Sequence, residues 1–376
     1  MPKIKSITCH KMLNSRADWT IATKVTLDDG SVGIQTIPEG ASKGEHEAQY
    51  IPVHKSVEVV RSILNDALVG EDPEDTYKID QTMIAIDGTP NKRELGGNSI
   101  LSVSLACAKA AAYSQNVELY EFLAQKFGNV FSDKALKFPT PLFNILNGGK
   151  HASNHLSFQE FMVIPAPSHN YKVALEMGIN CYHLLKKKLT DDGYDTDVGD
   201  EGGFAPDKFT VRKAFEYMRD SVGTKYKVGK DVFFGTDAAS ESFFFSNKYI
   251  IKEENLILNR ETLADFYDKL IKDFPIMYIE DPYYEKDLEG WKNFNAKFGN
   301  KLLVSADDLV VTNPLFLKIA IEDKLANAVI VKPNQVGSLT ETFEFIKMAQ
   351  KAKMAIIVSH RSGDTEDTFI ADLALA

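Results

Sequence analysis

Cysteine is scarce in this chain of 376 residues. Cys9, Cys107 and Cys181 are odd in number, far apart and without C-x-x-C spacing. That argues against a disulfide framework or a thiolate zinc site, and fits buried or free thiols in a reducing compartment. Apolar runs of membrane-spanning length are missing, and the opening MPKIKSITCH has no apolar signal core. No membrane association is therefore expected, and the expected location is cytoplasmic. Positive charge is in the minority, with 43 Lys and Arg against 53 Asp and Glu, a net charge of −10. Such a balance argues against a nucleic-acid partner. It does not forbid an anionic substrate, because bound metal ions reverse the local field. Low-complexity tracts are missing too. What remains is 44% hydrophobic and 26% charged, the composition of an ordinary globular protein with one large domain and a smaller one.

The strongest pattern present is a ladder of apolar runs, each ending in a polar residue. The runs are VFFGTD ending at Asp237, IMYIED at Glu280 and Asp281, LLVSADD at Asp307 and Asp308, AVIVKP at Lys332, and AIIVSH at His360. From Glu280 onward the rungs are 25–28 residues apart, and each gap holds one amphipathic helix pattern. Short β-rich runs alternating with such helices indicate a parallel sheet, and this regularity points to a (β/α) barrel. Barrel enzymes carry their catalytic groups at the C-terminal ends of strands. Asp237, Glu280, Asp307, Lys332 and His360 are thus expected to converge on one pocket.

Residues 3–38 read as a small antiparallel sheet, with Asp28, Asp29 and Gly30 at a hairpin turn. A small-residue loop follows at 40–44. Helices are expected at 55–69, 74–86 and 98–125, the last broken near Asn116 and capped by Asn98 or Ser99. We place a domain boundary at 137/138, because β/α alternation begins after it. The second part opens with two β-like runs, PLFNILNGG and HLSFQEFMVIP, then helices at 169–190 and 209–222 with the loop TDVGDEGGFAP between them.

Several segments together resemble the enolase family. They are GASKG (40–44), LNGGKHA (146–152), FQEFM (158–162), VGDEGGFAP (198–206), IEDP (279–282), SADDLVVTNP (305–314), VKPNQVGSLTET (331–342) and SHRSGDTEDTFIADLA (359–374). The resemblance implies an α+β N-terminal domain (1–137) and a C-terminal (β/α) barrel (138–376) that opens ββαα before βα units. It also implies reversible dehydration of 2-phosphoglycerate to phosphoenolpyruvate with two Mg2+ ions.

On the resemblance, Asp237, Glu280 and Asp307 are ligands of the first magnesium, and Ser42 joins the second with the phosphate. Three carboxylates at neighbouring strand ends do make a hard-oxygen cage that suits this ion. The plain alternative is that each caps a barrel helix or pairs with a lysine. Asp281 and Asp308 point the other way along their strands and read as supporting groups. Lys332 is the implied general base. It is expected to be driven toward its neutral form by burial and bound cations. A Schiff-base lysine is the rival chemistry, but that reaction needs no carboxylate cage. Glu201 is the implied general acid with Glu160 beside it, two carboxylates sharing a proton, and His151 lies near the leaving group. Without the resemblance, Glu201 would read as a loop charge. Arg361 and Ser362 are implied for the phosphoryl group, which favours a guanidinium fork, and His360 for the carboxylate or the base.

The chain departs from the family pattern in three places. Asn14–Thr20 replaces a Gly and a Pro of the usual turn by Ala17 and Trp19, near the expected homodimer contact, which is thereby put in doubt. A short stretch after Ala48 is missing. A further rung at the ladder's spacing would lie beyond Ala376, so the expected barrel lacks its last strand and the chain is expected to be truncated there. On the resemblance that strand carries a substrate lysine. An enolase-like protein that binds without catalysing is the alternative.

Overall fold

The computed structural model describes residues 2–40, 46–128 and 138–376. The N-terminal unit begins with the antiparallel sheet β1 (Ile4–Leu13), β2 (Trp19–Leu27) and β3 (Val32–Thr36), in that order. Gly30 takes the left-handed conformation at the β2–β3 turn (φ 89°), as the Asp-Asp-Gly signature requires. Beneath the sheet lie α1 (Val53–Val59), which runs through a π-helical stretch at Val60–Leu64 into α2 (Asn65–Leu68), then α3 (Thr76–Asp87), α4 (Gly97–Ser114) and α5 (Leu119–Phe127). Small side chains let α4 sink into the core, where Ser102 Oγ meets Thr23 Oγ1 at 2.7 Å and Ser99 Oγ meets Ser56 Oγ at 2.6 Å. The break at Asn116 is present, with that residue left-handed (φ 55°). The expected cap is not: Gly96 precedes the helix, and the Asn98 amide instead pairs with both backbone groups of Ile51.

The C-terminal unit opens with β4 (Phe143–Asn147) and β5 (Glu160–Pro165), then α6 (Tyr171–Asp191), α7 (Val211–Val222) and β6 (Val232–Asp237). This is the ββαα opening. Strand β5 is antiparallel to both β4 and β6, and from β6 onward the strands are parallel. They are β10 (Ile276–Glu280), β11 (Leu303–Ala306), β12 (Ala328–Val331) and β13 (Ala355–Val358). Helices α8 (Arg260–Asp273), α9 (Leu288–Phe298), α10 (Pro314–Glu322) and α12 (Leu339–Lys351) make the crossovers, with the short α11 (Pro333–Val336) between β12 and α12 and α13 (Phe369–Leu375) at the end. Asn259, Asp287, Asn313 and Ser338 cap four of them by accepting from first-turn amides, which fixes where each helix leaves the rim.

Between β6 and α8 stands a meander that the sequence reading missed, made of β7 (Phe244–Phe245), β8 (Lys248–Ile251) and β9 (Leu256–Leu258). It accounts for the 43 residues between Asp237 and Glu280, wider than any later rung. Its signal was Ser246-Asn247, which takes positive φ at both positions (49° and 61°) as a two-residue hairpin demands.

The barrel sheet has seven strands in the order β13-β12-β11-β10-β6-β5-β4, and among the described residues it lacks a strand to close it. Its curled inner face packs Met162, Ile164, Tyr278 and Ile330 together. Between the edges β13 and β4 lies a groove of about 1200 Å³, walled by residues such as Phe143, Ile145, Ile357 and Leu373. No helix among the described residues is long and apolar enough to cross a membrane. The two units are stitched together at the barrel rim. Glu39 and Gly363 exchange backbone hydrogen bonds of 2.8 and 2.9 Å, Ala48 N–H donates to the Gln335 carbonyl at 2.7 Å, and Lys109 pairs with Asp367 at 2.7 Å.

Candidate active site

Strand register brings the acidic residues to one rim. Glu160 lies opposite Asp237 across β5 and β6, and Asp237 lies opposite Glu280 across β6 and β10. Asp307 and Lys332 follow the last residues of β11 and β12 directly. All of these side chains are buried or nearly so. Each carboxylate is aimed by a neighbour. Asp237 accepts from Gln159 Nε2 at 3.0 Å and from Ala239 N–H at 2.8 Å. Glu280 accepts from the Tyr278 hydroxyl, and Asp307 accepts from Gln335 Nε2 at 2.9 Å and from Lys332 Nζ.

Burial and mutual repulsion raise the Asp237 carboxyl well above its usual range and push Glu280 up to about 7. Such a cluster favours added positive charge, and its donor oxygens are of the hard type that magnesium selects. Ligand atoms of Asp237 and Glu280 lie within 4.8 Å of one another and of Asp281, and those of Asp307 group in the same way with Asp281 and Asp308. The residues present therefore fit a divalent cation. Asp281 belongs to both groups, yet its two oxygens accept the backbone N–H groups of Asp307 and Asp308 at 3.0 and 2.9 Å. Its left-handed backbone (φ 42°) turns it under the rim. It braces the loop carrying Asp307, but Asp281 and Asp308 also line the cleft, contrary to the expectation that both point the other way.

Lys332 sits under two opposing influences. Burial does favour its neutral form, but the charges of Asp307 and Glu280 outweigh burial and hold it protonated, well above the ordinary lysine range. Asp307 is correspondingly lowered despite its own burial, by Lys332 and Gln335.

Across the same cleft, Glu160, Glu201 and His151 form a second cluster with ligand-type atoms within 4.8 Å of one another. The GDEGG segment is a packed loop. Asp200 N–H donates to the His151 carbonyl, Gly203 N–H donates to Asn147 Oδ1, and a Cβ at Gly199 would lie 2.4 Å from the His151 carbonyl oxygen. Glu201 Oε1 sits 3.2 Å from His151 Nδ1 and 3.0 Å from His360 Nε2, and Oε2 accepts from Asn144 Nδ2 at 2.9 Å. Burial works against its charge, but the two histidines prevail and keep Glu201 ionised well below the carboxylate range. Glu160 goes the other way, raised by burial and then by the Glu201 charge. The two carboxyls are thus pushed in opposite directions, Glu160 toward its protonated form, whereas the resemblance makes Glu201 the acid.

Arg361 is buried, and its guanidinium donates to both Glu47 oxygens at 2.9 and 3.3 Å and to Asn334 Oδ1 at 3.1 Å. A Cβ at Gly40 would lie 2.0 Å from Arg361 Nη2, so glycine is what lets the two units approach there. Ser362 lines the cleft, and its carbonyl accepts from Ser15 Oγ at 3.4 Å. Ser42 and most of GASKG lie outside the described residues, as does the chain just before the 137/138 boundary. The altered turn keeps a glycine-like shape: Ala17 is left-handed (φ 60°), Asn14 Oδ1 accepts from Arg16 and Asp18 N–H, and Trp19 stays exposed. The room left in the cleft is about 30 Å³, space for roughly two waters. Glu160, Glu201 and His360 also face the larger groove between β13 and β4.

Sequence reasoning missed Gln159, Asn144, Tyr278, Gln335, Thr312 and Glu47. Tyr278 carried a signal, since two residues before Glu280 on a strand means the same face. Glu47 carried none, because its partner lies 314 residues away.

Comparison with known families gives two matches. A family model described as the enolase N-terminal domain matches residues 4–123, and one described as the enolase C-terminal TIM barrel domain matches residues 135–376.

Proposed function

The chain belongs to the enolase family, and from that premise we propose that it interconverts 2-phosphoglycerate and phosphoenolpyruvate. The observation that carries this reading is one cleft holding a largely buried lysine among metal-type carboxylates, a carboxyl raised by burial beside one lowered by two histidines, and a buried arginine.

Lys332 Nζ takes the C2 proton. It must be neutral to do so, and Asp307 and Glu280 oppose that while burial favours it. The base therefore becomes available when the negative charge around it is compensated. Asp237, Glu280 and Asp307 would hold magnesium, which supplies positive charge against the substrate carboxylate as that group gains electrons. Ser42 is assigned to a second ion by family resemblance alone. The C3 hydroxyl leaves as water once it receives a proton. Glu160 holds that proton, because the Glu201 charge raises its carboxyl, and passes it to the otherwise ionised Glu201, which delivers it to the leaving oxygen. The C2–H and C3–O bonds break, the C2=C3 bond forms, and one proton is taken up at Lys332 for each one given by the carboxyl pair. Arg361 and Ser362 bind the phosphoryl group, His360 holds Glu201 and lies near the base, and His151 fixes the Glu201 side. The substrate class is a small phosphorylated acid, and no nucleic acid or membrane is needed.

A second reading is a binding protein with impaired catalysis. Among the described residues the edges of β13 and β4 flank an open groove, which favours it because water there reaches Glu160, Glu201 and His360. Incubating the 376-residue chain with 2-phosphoglycerate and Mg2+ separates the two. Metal-dependent formation of phosphoenolpyruvate, lost by several orders of magnitude in Lys332→Ala, supports the lyase. Turnover retained by Lys332→Ala would sink the role given to that lysine.

A further inference from the structure

Four hydrogen bonds form a closed ring that starts and ends on Lys332. The Lys332 backbone N–H donates to Thr312 Oγ1 at 2.9 Å, and the Thr312 hydroxyl donates to Gln335 Oε1 at 2.7 Å. Gln335 Nε2 donates to Asp307 Oδ1 at 2.9 Å, and Asp307 Oδ2 accepts from Lys332 Nζ. Donor and acceptor chemistry fixes every direction in the ring. The carboxylate only accepts, so the Gln335 amide nitrogen must face it, which leaves the amide oxygen for the Thr312 hydroxyl.

The ring is buried: Thr312 is 0% exposed and Gln335 2%. Two further features hold it. Val311 and Thr312 stand in the left-handed region (φ 41° and 52°), a conformation that β-branched residues avoid unless their surroundings impose it. On the other side, Ala48 N–H of the N-terminal unit donates to the Gln335 carbonyl.

We propose that Gln335, oriented by Thr312, is a positioning residue that fixes the Asp307 carboxylate so that one oxygen faces Lys332 and the cation site. The proposal rests on the lyase reading for its catalytic consequence, but the metal site tests it separately. Partners of a metal ligand of this kind change metal affinity or activity by about 10–100-fold when removed.

The experiment is a calorimetric Mg2+ titration of the full chain and of Gln335→Met, Thr312→Val and Thr312→Ser, with steady-state kinetics alongside. Val keeps the β-branched backbone at 312 and removes only the hydroxyl, whereas Ser restores it. Gln335→Met and Thr312→Val should each bind Mg2+ about 10–100-fold more weakly. Thr312→Ser should stay within roughly twofold of the wild type, and kcat should fall with the metal affinity while KM holds. Wild-type affinity in both Gln335→Met and Thr312→Val overturns the proposal, and so does a Thr312→Ser variant as weak as Thr312→Val. Should Gln335→Met fail to fold, the Val/Ser pair at 312 decides alone. A wild-type chain that binds Mg2+ but turns nothing over defeats the lyase reading and leaves the ring testable.

Discussion

Replacing Glu47 by Ala removes one partner of a buried ion pair, since both side chains of the Glu47–Arg361 pair are only 6% exposed. Two guanidinium-to-carboxylate hydrogen bonds, of 2.9 and 3.3 Å, are lost. The Asn334 contact of 3.1 Å remains, and the charge of Asp307 still acts on Arg361. Breaking a buried pair from one side costs about 3–5 kcal/mol, because the other charge is left uncompensated. The retained contacts place the expected loss near the lower end, about 3 kcal/mol. The assay is urea unfolding of wild type, Glu47→Ala, Arg361→Ala and the double variant. The cycle should give a coupling of at least roughly 2 kcal/mol. Inorganic phosphate carries the negative charge that the Glu47→Ala variant has lost. At 100 times its dissociation constant it should return about 2.7 kcal/mol to Glu47→Ala, and much less to the wild type, where it competes with Glu47. A loss under about 1 kcal/mol, an additive cycle and no response to phosphate would together refute the reasoning, because that is the behaviour of a solvated surface pair.

Asp80 is fully buried, and burial pushes its carboxyl up to about 6 from 3.8. A raised folded value means that its contribution to stability is full below the unfolded value and is lost as pH rises through 6. Asp80→Asn removes that dependence, so wild type should weaken relative to the variant by up to roughly 3 kcal/mol between pH 4 and 8 in urea unfolding; an unchanged difference contradicts it. Phe158 is fully buried among Phe161, Phe243, Phe266 and Tyr267, next to Gln159 and Glu160. Phe158→Ala should cost about 3–5 kcal/mol by the same measurement, and a loss below about 1 kcal/mol would mean that this aromatic cluster is not the wall that holds Glu160.

The parallel strands were legible because each is a short apolar run ending in one polar residue, a pattern that survives without tertiary information. The meander at Phe244–Leu258 was not read, since its strands are two to four residues long and too brief for any period. Site residues at strand ends were legible for the same geometric reason as the strands. Their supports were not: Gln335 and Thr312 sit on a short helix and a strained loop, and nothing local says that they meet Asp307 and Lys332. Charge state was the least legible property. Lys332 was read as driven toward neutrality by burial and bound cations, and the opposing charges of Asp307 and Glu280, which reach it through the sheet, were not weighed. Likewise, which member of the Glu160–Glu201 pair holds the proton is decided by His151 and His360, from segments far apart in the chain.

The central claim is that Lys332 removes the proton at C2 and that the Glu160–Glu201 pair serves the departing hydroxyl. Incubation of the chain with 2-phosphoglycerate and Mg2+ in deuterated water, followed by NMR of the C2 position, tests it directly. The account predicts deuterium incorporation by the wild type, its loss in Lys332→Ala, and its persistence in Glu201→Gln while phosphoenolpyruvate formation collapses. Incorporation that survives Lys332→Ala, or that disappears in Glu201→Gln along with elimination, would contradict it.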